Sequence, residues 1–242
     1  MTQLMRAAER RWAIVSGHPS AAPRTRGQVP PVRRVTIAFD ARLPNARWGP
    51  LFHVFRLERR KVTLDWQPVG FPAPGHSLLD GADVGVFLRP PRERGLCVLT
   101  LDTSPMIVVM AAGHRLTACE ELCVADILDE PFPGCPHVRP EWSAFWSLDE
   151  QRGRPATLTD DDVHDAEEGL QVVAAGRAIL TVPEWVADGL AHPGVVALPL
   201  ENGPPVTTDL VWRSGDDDPD VSALVDLAAA WTRNDRRSGH VD

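Results

Sequence analysis

The sequence predicts an α/β fold in which helices alternate with strands, as in a doubly wound sheet. Three observations between residues 159 and 183 predict it. Apolar residues recur at helical spacing at Val163, Ala166, Leu170, Val173 and Ala174. Gly176 ends this helix, and Ala178–Val182 is an apolar run of the length of a buried strand. Pro183 with Glu184 is the pair expected at the start of the next helix.

The elements before this stretch follow from the same spacing rules. Val35–Phe39 predicts a first strand, and a helix follows because apolar residues recur at Trp48, Leu51, Phe52 and Phe55. A second strand is predicted at Val62–Trp66 and a third at Asp83–Phe87. Ile107–Met110 predicts the strand by which the chain crosses into a second lobe.

The sequence pattern after residue 110 predicts further helices, a return strand and a closing helix. The helices are Cys119–Leu128, Glu141–Leu148 and Val163–Ala175, with Thr159 and Asp160–Asp162 placed to cap the last of them. Thr207–Trp212 predicts the return strand. The closing helix is marked by Val221, Leu224, Val225, Ala228 and Trp231. Two crossings between lobes make a hinge, and a hinge makes a cleft.

Four passages carry a resemblance to a known family. They are residues 173–183 (V-A-A-G-R-A-I-L-T-V-P), Gly81–Phe87, Gly113–Leu116 followed by Cys123–Phe132, and Pro204–Arg213. In this order they resemble the effector-binding domain of LysR-type transcriptional regulators, over about residues 33–232. One such passage is common in unrelated proteins, whereas four passages in the family's order are specific to the family.

The resemblance implies an α/β fold of two Rossmann-like lobes of the type II periplasmic-binding-protein kind, joined by two crossover strands. Lobe I would comprise residues 33–110 and 205–232, and lobe II residues 111–204. Residues 1–32 would be a flexible basic arm and residues 233–242 a polar tail. The implied function is small-molecule effector binding in the interlobe cleft of a cytoplasmic homodimer that pairs side by side.

Length and composition agree with a soluble protein. The chain has 242 residues, 43% of them hydrophobic and 24% charged, which is ordinary for a globular protein. No stretch is apolar for long enough to span a bilayer, so we expect no membrane partner. Met1–Gly17 lacks the apolar core of a secretory signal. This argues against the main alternative, an exported orphan solute-binding protein.

Charge separates the N-terminal segment from the rest. Residues 1–34 hold seven arginines and one acid, which leaves a net charge of −14 on the remainder, since the whole chain carries −8. An acidic body repels phosphate, so DNA contact would require the arm or a separate helix-turn-helix. About thirty residues are too few for a winged helix-turn-helix. We therefore expect the DNA-binding half of the regulator to be missing. The second alternative is a regulator that still binds DNA through its basic N-terminal arm.

The resemblance places ligand contacts on the loops between the lobes. The candidates are Asp40, Ala41, Arg42, Leu88, Arg89, Cys135, His137, Arg139, Trp142, Val182 and Pro183. Arg42, Arg89, His137 and Arg139 together would suit a carboxylate, and Trp142 and Trp146 would wall an apolar or aromatic body.

Catalytic, metal and cofactor sites are not predicted. Cys119 and Cys123 lie four apart near His114, Cys135 and His137, but this spacing matches no compact zinc motif. We expect Cys97, Cys119 and Cys123 to be small buried apolar groups. The acidic residues at 160–168 suit a helix start, and no nucleophile or nucleotide-binding motif is present, so we expect no enzyme activity.

Overall fold

The computed structural model describes residues 33–40, 45–73, 77–189 and 192–238, and these build two sheets. The first sheet contains β1 (Arg33–Asp40), β2 (Val62–Val69), β3 (Val84–Leu88), β4 (Leu96–Ser104) and β9 (Val206–Arg213), in the order β2-β1-β3-β9-β4. The predicted arm, residues 1–32, lies outside the described residues.

The second sheet contains β5 (Met106–Ala111), β6 (Leu122–Cys123), β7 (Leu180–Pro183) and β8 (Val195–Glu201), in the order β6-β8-β5-β7. Only Pro105 separates β4 in the first sheet from β5 in the second. The chain returns through residues 202–205 into β9. Two crossings therefore join the two sheets, and the α/β fold of two lobes is confirmed.

Strand direction decides where loops gather in the first sheet. β1 is parallel to both β2 and β3, whereas β9 is antiparallel to β3 and β4. The carboxyl ends of the three parallel strands therefore lie at one edge, which is where ligands bind in open α/β sheets. The loops after β2 and β3 begin at Gly70 and Arg89 and lie at this edge.

Two helices cover the core of the first sheet. They are α1 (Asn45–Glu58) and, after β9, the C-terminal helix Pro219–Ser238. The predicted stripe of α1 is confirmed, because Trp48, Leu51, Phe52 and Phe55 are all buried. The C-terminal helix buries Val221, Leu224 and Ala228. Asp218 Oδ1 accepts a hydrogen bond of 2.7 Å from Asp220 N, so Asp218 caps the start of this helix.

Lobe II contains short helices beside its sheet. They are α2 (Val124–Ile127), α3 (Pro140–Trp146), α4 (Asp149–Arg152) and α5 (Ala166–Ala174), with 3₁₀ turns at Arg115–Ala118 and Glu184–Gly189. The C-terminal helix is accordingly α6. Leu170 and Val173 of α5 are buried against Val109 of β5.

The predicted helix at Cys119–Leu128 is wrong. Leu122 and Cys123 pair with β8, and only Val124–Ile127 is helical. Asp126 Oδ2 accepts a hydrogen bond of 2.8 Å from Cys123 N, which fixes the helix start at that point. Hydrogen bonds from the side chain and from the backbone N–H of Cys123 lower the pKa of the Asp126 carboxyl.

Cysteine burial differs from the prediction as well. Cys119 is exposed, and Cys97 in β4 and Cys123 in β6 are only partly buried. All four cysteines are free thiols.

Other boundaries shift for local reasons. Pro183 ends β7 opposite Met106, and the helix that begins at Glu184 is a short 3₁₀ turn instead of an α-helix. The cap of α5 is Asp165, whose side chain accepts from Glu168 N at 2.9 Å, instead of the acids at 160–162. Strands β4 and β8 were not predicted. β5 belongs to the second sheet, so sheet membership would end the first stretch of lobe I at Pro105 instead of residue 110.

Candidate functional site

An apolar cleft lies between the ends of the first-sheet strands and the helices of lobe II. It encloses about 920 Å³, counting space open to solvent. This first cleft is lined by Phe71, Leu88, Val109, Phe132, Pro133, Cys135, Trp142, Ser143, Trp146, Ser147, Leu158, Val163, Asp165, Gly169, Leu170, Leu180, Thr181, Val182, Pro183 and Val186. Its largely apolar walls, with a small number of polar groups, are typical of small-molecule sites.

Aromatic rings connect the two lobes along the wall of the first cleft. Phe71, just after β2, lies 4.7 Å from Trp142 of α3, measured between ring centroids. Trp142 lies 5.7 Å from Trp146, which in turn lies 5.2 Å from Phe145. The guanidinium of Arg89, just after β3, covers Phe145 at 4.7 Å. Lobe I therefore touches both ends of this row of rings.

Polar groups in the first cleft are few and mostly engaged. Thr181 Oγ1 donates to Trp146 O, and Ser147 Oγ donates to Asp149 Oδ1 at 2.7 Å. Asp165 is the one charged side chain among the described lining residues, and it caps α5. The arrangement suits a ligand with an apolar body and a small number of hydrogen-bonding groups.

An ion pair between the lobes, which we call the clasp, lies beside this wall. Arg139 Nη2 donates to Glu93 Oε1, and both side chains are largely buried, with 13% and 15% of their surface exposed. Arg139 N also donates to Pro72 O at 2.8 Å. Glu93 in turn accepts from Leu78 N at 3.2 Å. The clasp therefore ties the start of α3 to two loops of lobe I.

A second cleft adjoins the first and shares Phe71, Leu88 and Trp142 with it. It encloses about 810 Å³ and is more polar, with Gln67 and Asp80 in its wall. It lies at the carboxyl ends of β2 and β3. The two clefts therefore have part of their walls in common.

The outer wall of the first cleft is made by two loops that pair closely. Phe132 N donates to Thr157 O, and Thr159 N donates to Phe132 O, both at 2.8 Å. Val163 N donates to Gly134 O at 3.0 Å. Backbone hydrogen bonds thus hold the loops 131–135 and 157–163 against each other. Behind these loops, the Arg152 guanidinium lies 5.6 Å from the Phe132 ring, and burial lowers the pKa of Arg152.

Five of the predicted contact residues line the first cleft. They are Leu88, Cys135, Trp142, Val182 and Pro183, and the predicted wall residue Trp146 lines the cleft as well. Asp40 ends β1, but its side chain lies outside the described part of the chain, as do Ala41 and Arg42.

The predicted cationic contacts lie elsewhere. Arg89 covers Phe145, Arg139 belongs to the clasp, and the exposed His137 lies 3.3 Å from Asp162 Oδ2. No arginine, lysine or histidine lines the first cleft within the described ranges. A carboxylate would therefore have to meet backbone N–H groups or hydroxyls there, or the undescribed Arg42.

Sequence reasoning missed several wall residues. Phe71, Phe132 and Leu180 were not among the candidates, although all three line the first cleft. Phe71 was detectable, since it follows a predicted strand at the ligand-binding edge of a parallel sheet. Phe132 was not, because it reaches the cleft through pairing with residues some twenty-five positions away.

The Cys135 thiol is the titratable group most altered by the first cleft. Burial raises its pKa to about 11, and the nearby Asp162 carboxylate contributes. Since the thiolate is the reactive form, Cys135 should be alkylated by iodoacetamide far more slowly at neutral pH than the exposed Cys119. Peptide mass spectrometry measures both rates in one sample. Equal rates would contradict the buried assignment.

The same shift has a consequence for stability. An unfolded cysteine ionises near its ordinary pKa of 9.0, whereas folded Cys135 stays protonated up to about 11. Ionisation therefore favours the unfolded state, and Cys135 contributes a loss of stability as the pH rises from 9.0.

None of the helices in the described ranges is long and apolar enough to cross a membrane. Comparison with curated proteins gives no match. Solved structures do match. They include the effector-binding domain of BenM with its effector benzoate (16% identity, TM-score 0.66, covering 87% of this chain and 95% of that one).

Two further structures are similar over most of their length. The effector-binding domain of QuiR in complex with shikimate has 16% identity and a TM-score of 0.66, covering 83% of this chain and 97% of that one. The regulatory domain of CcmR from Synechocystis PCC6803 in complex with 2-PG has 14% identity and a TM-score of 0.63, covering 83% and 98%. At these identities the likeness shows a shared fold.

The model of the LysR substrate binding domain matches residues 29–233. That range contains every strand of both sheets and the whole lining of the first cleft. Since the match spans most of the 242 residues, the chain belongs to the LysR substrate-binding domain family.

Proposed function

We propose that this protein binds a small-molecule effector in the first cleft and passes the resulting closure of its lobes to a transcriptional response. The observation that carries the proposal is the cleft itself, whose wall contains residues of both lobes. A ligand held between Phe71 and Leu88 on one side and Trp142 and Trp146 on the other stabilises the closed arrangement. The effectors named for BenM, QuiR and CcmR support binding of a small organic molecule.

The effector we propose has an aromatic or alicyclic body. Four wall residues are Phe or Trp, and the described lining offers no cation. Hydroxyls at Ser143 and Thr181 would meet its polar substituents. A carboxylate substituent remains part of the proposal because β1 ends at this sheet edge and Arg42 follows it by two residues in the sequence. Thermal shift with matched pairs of carboxylic acids and neutral amides separates the two cases.

Substitution of Ser143 with phenylalanine tests the location of the site. Ser143 lines the first cleft from α3, so a benzyl side chain there would occupy ligand space. We expect effector affinity to fall by more than about tenfold, which is the effect of losing about 1.4 kcal/mol of binding free energy. Calorimetry with a hit from the thermal-shift screen measures it.

The matched control is Ser222→Phe. Ser222 is exposed on α6, far along the chain from the cleft wall, so its replacement should leave effector affinity unchanged. If Ser143→Phe bound the effector with unchanged affinity, the effector site would lie outside the first cleft, although the chain belongs to this family.

The wider assignments belong to the proposal as well. We propose a cytoplasmic, non-catalytic homodimer, since the family is a regulatory one. Contact with DNA would occur through a separate helix-turn-helix or through the arm at residues 1–32. Translation of the DNA upstream of the Met1 codon tests the first route. Deleting residues 1–31 and measuring salt-dependent DNA affinity tests the second.

A further inference from the structure

Two histidines and an aspartate meet at the outer rim of the first cleft, outside the wall itself. His137 Nε2 lies 3.3 Å from Asp162 Oδ2, and His164 Nε2 lies 3.5 Å from Asp162 Oδ1. The two imidazole rings are stacked, with centroids 5.0 Å apart and an angle of 10° between their planes. One potential ligand atom from each residue lies within 4.8 Å of the others.

We propose that His137, Asp162 and His164 bind a divalent transition-metal ion, with Zn²⁺ as the reference case. Zinc holds imidazole nitrogen and carboxylate oxygen at about 2.0–2.2 Å, so neighbouring ligands of a tetrahedral ion lie about 3.3–3.5 Å apart. The two N···O separations have this value, although each imidazole meets a different oxygen of the Asp162 carboxylate. Since one ligand atom of each residue lies within 4.8 Å of the others, a shared ion requires the three side chains to close by about an ångström.

The backbone holds these three residues in place. Val163 lies between Asp162 and His164 in the chain, and its side chain is buried in the cleft wall. Its amide donates to Gly134 O at 3.0 Å, which fixes the loop that leads to His137. Asp161 Oδ1 is paired with Arg177 Nη1 at 2.5 Å, so the next carboxylate is already engaged. The loop geometry is thus set before any ion binds.

The donor set selects the class of ion. Two imidazoles and one carboxylate suit Zn²⁺, Ni²⁺ or Co²⁺, whereas Mg²⁺ and Ca²⁺ require mainly oxygen ligands. The side chains are 62%, 55% and 55% exposed for His137, Asp162 and His164, so an ion reaches them without any opening of the fold. Three protein ligands leave a coordination position for water.

The site would also affect the first cleft. Cys135 and Val163 line that cleft, and they lie within two residues of His137 and of Asp162 and His164 respectively. An ion that joins the two loops would hold this wall in one position. Metal and effector would then bind with linked affinities, each changing the other by the same factor.

The test uses the purified untagged protein and Co²⁺, followed by its visible absorption and by calorimetry. We expect one Co²⁺ bound in a site of nitrogen and oxygen ligands and displaced by Zn²⁺ but not by Ca²⁺. Each of the variants His137→Ala and His164→Ala should lower the affinity by more than about tenfold. Because these side chains are exposed, circular dichroism should show both variants folded.

The control is His53→Ala, an exposed histidine on α1 of lobe I, which should retain the affinity of the parent protein. An equal loss in this control would overturn the proposal, as would unchanged binding in both test variants. A sulfur-to-cobalt charge-transfer band would also overturn it, since it would assign the ion to cysteine. None of these outcomes bears on effector binding by the apolar cleft, so the two proposals fail separately.

Discussion

Replacing Gly134 with alanine is expected to destabilise the protein by about 3 kcal/mol, a large effect for one added methyl group. A Cβ atom at this position would lie 2.5 Å from the carbonyl oxygens of both Asp161 and Thr159. Both neighbours are backbone atoms in the paired loop, so neither has a rotamer to adopt. The loops at 131–135 and 157–163 must separate, and the hydrogen bonds between them weaken.

Urea denaturation followed by circular dichroism measures the change. The matched control is Gly113→Ala, because an added Cβ at Gly113 has no atom within 4 Å and should leave stability almost unchanged. If Gly134→Ala proved as stable as this control, the close pairing of the two loops would be wrong. We also expect Gly134→Ala to lose effector binding, since Phe132, Cys135 and Val163 would move out of the cleft wall.

Breaking the clasp is expected to destabilise the protein by about 2 kcal/mol. Glu93→Gln retains the size of the side chain but removes its charge. Arg139 would then lack its carboxylate partner in a place where only 13% of its side chain reaches solvent. Leu78 N, which also donates to Glu93, would keep only a neutral acceptor.

The function should change along with the stability. The clasp ties the start of α3, which carries Trp142 and Trp146, to lobe I, so its loss should favour the open arrangement and weaken effector binding. Denaturation and effector calorimetry on the same variant measure both effects. Asp129→Asn is the control, because the exposed pair of Asp129 with Arg154 should contribute less than about 1 kcal/mol. Equal losses in the two variants would contradict a special role for the clasp.

Local pattern was sufficient for the elements that have a regular apolar period. The apolar stripe of α1 and the buried residues Val221, Leu224 and Ala228 of α6 were predicted correctly, because helical spacing acts within a few residues. The stretch Leu96–Ser104 shows the limit. Its burial does not alternate cleanly, and it becomes a strand only because β9 pairs with it across more than a hundred positions. The opposite error occurred at Cys119–Leu128, where a helix was predicted. Leu122 pairs with Leu200 in the second sheet, and this pairing overrode the helical spacing.

By itself, the sequence determined the alternation of helices and strands, the two crossings and six of the residues that line the first cleft. These features depend on periodicity, on the positions of glycine and proline and on family motifs, all of which can be recognised within short stretches of the sequence. Only the tertiary structure decided that Arg139 pairs with Glu93, that Phe71 faces Trp142, and that His137 meets Asp162 and His164. These partners lie 25 to 71 positions apart, and no spacing rule relates them, because side-chain contacts at that range follow from how the sheets and loops pack.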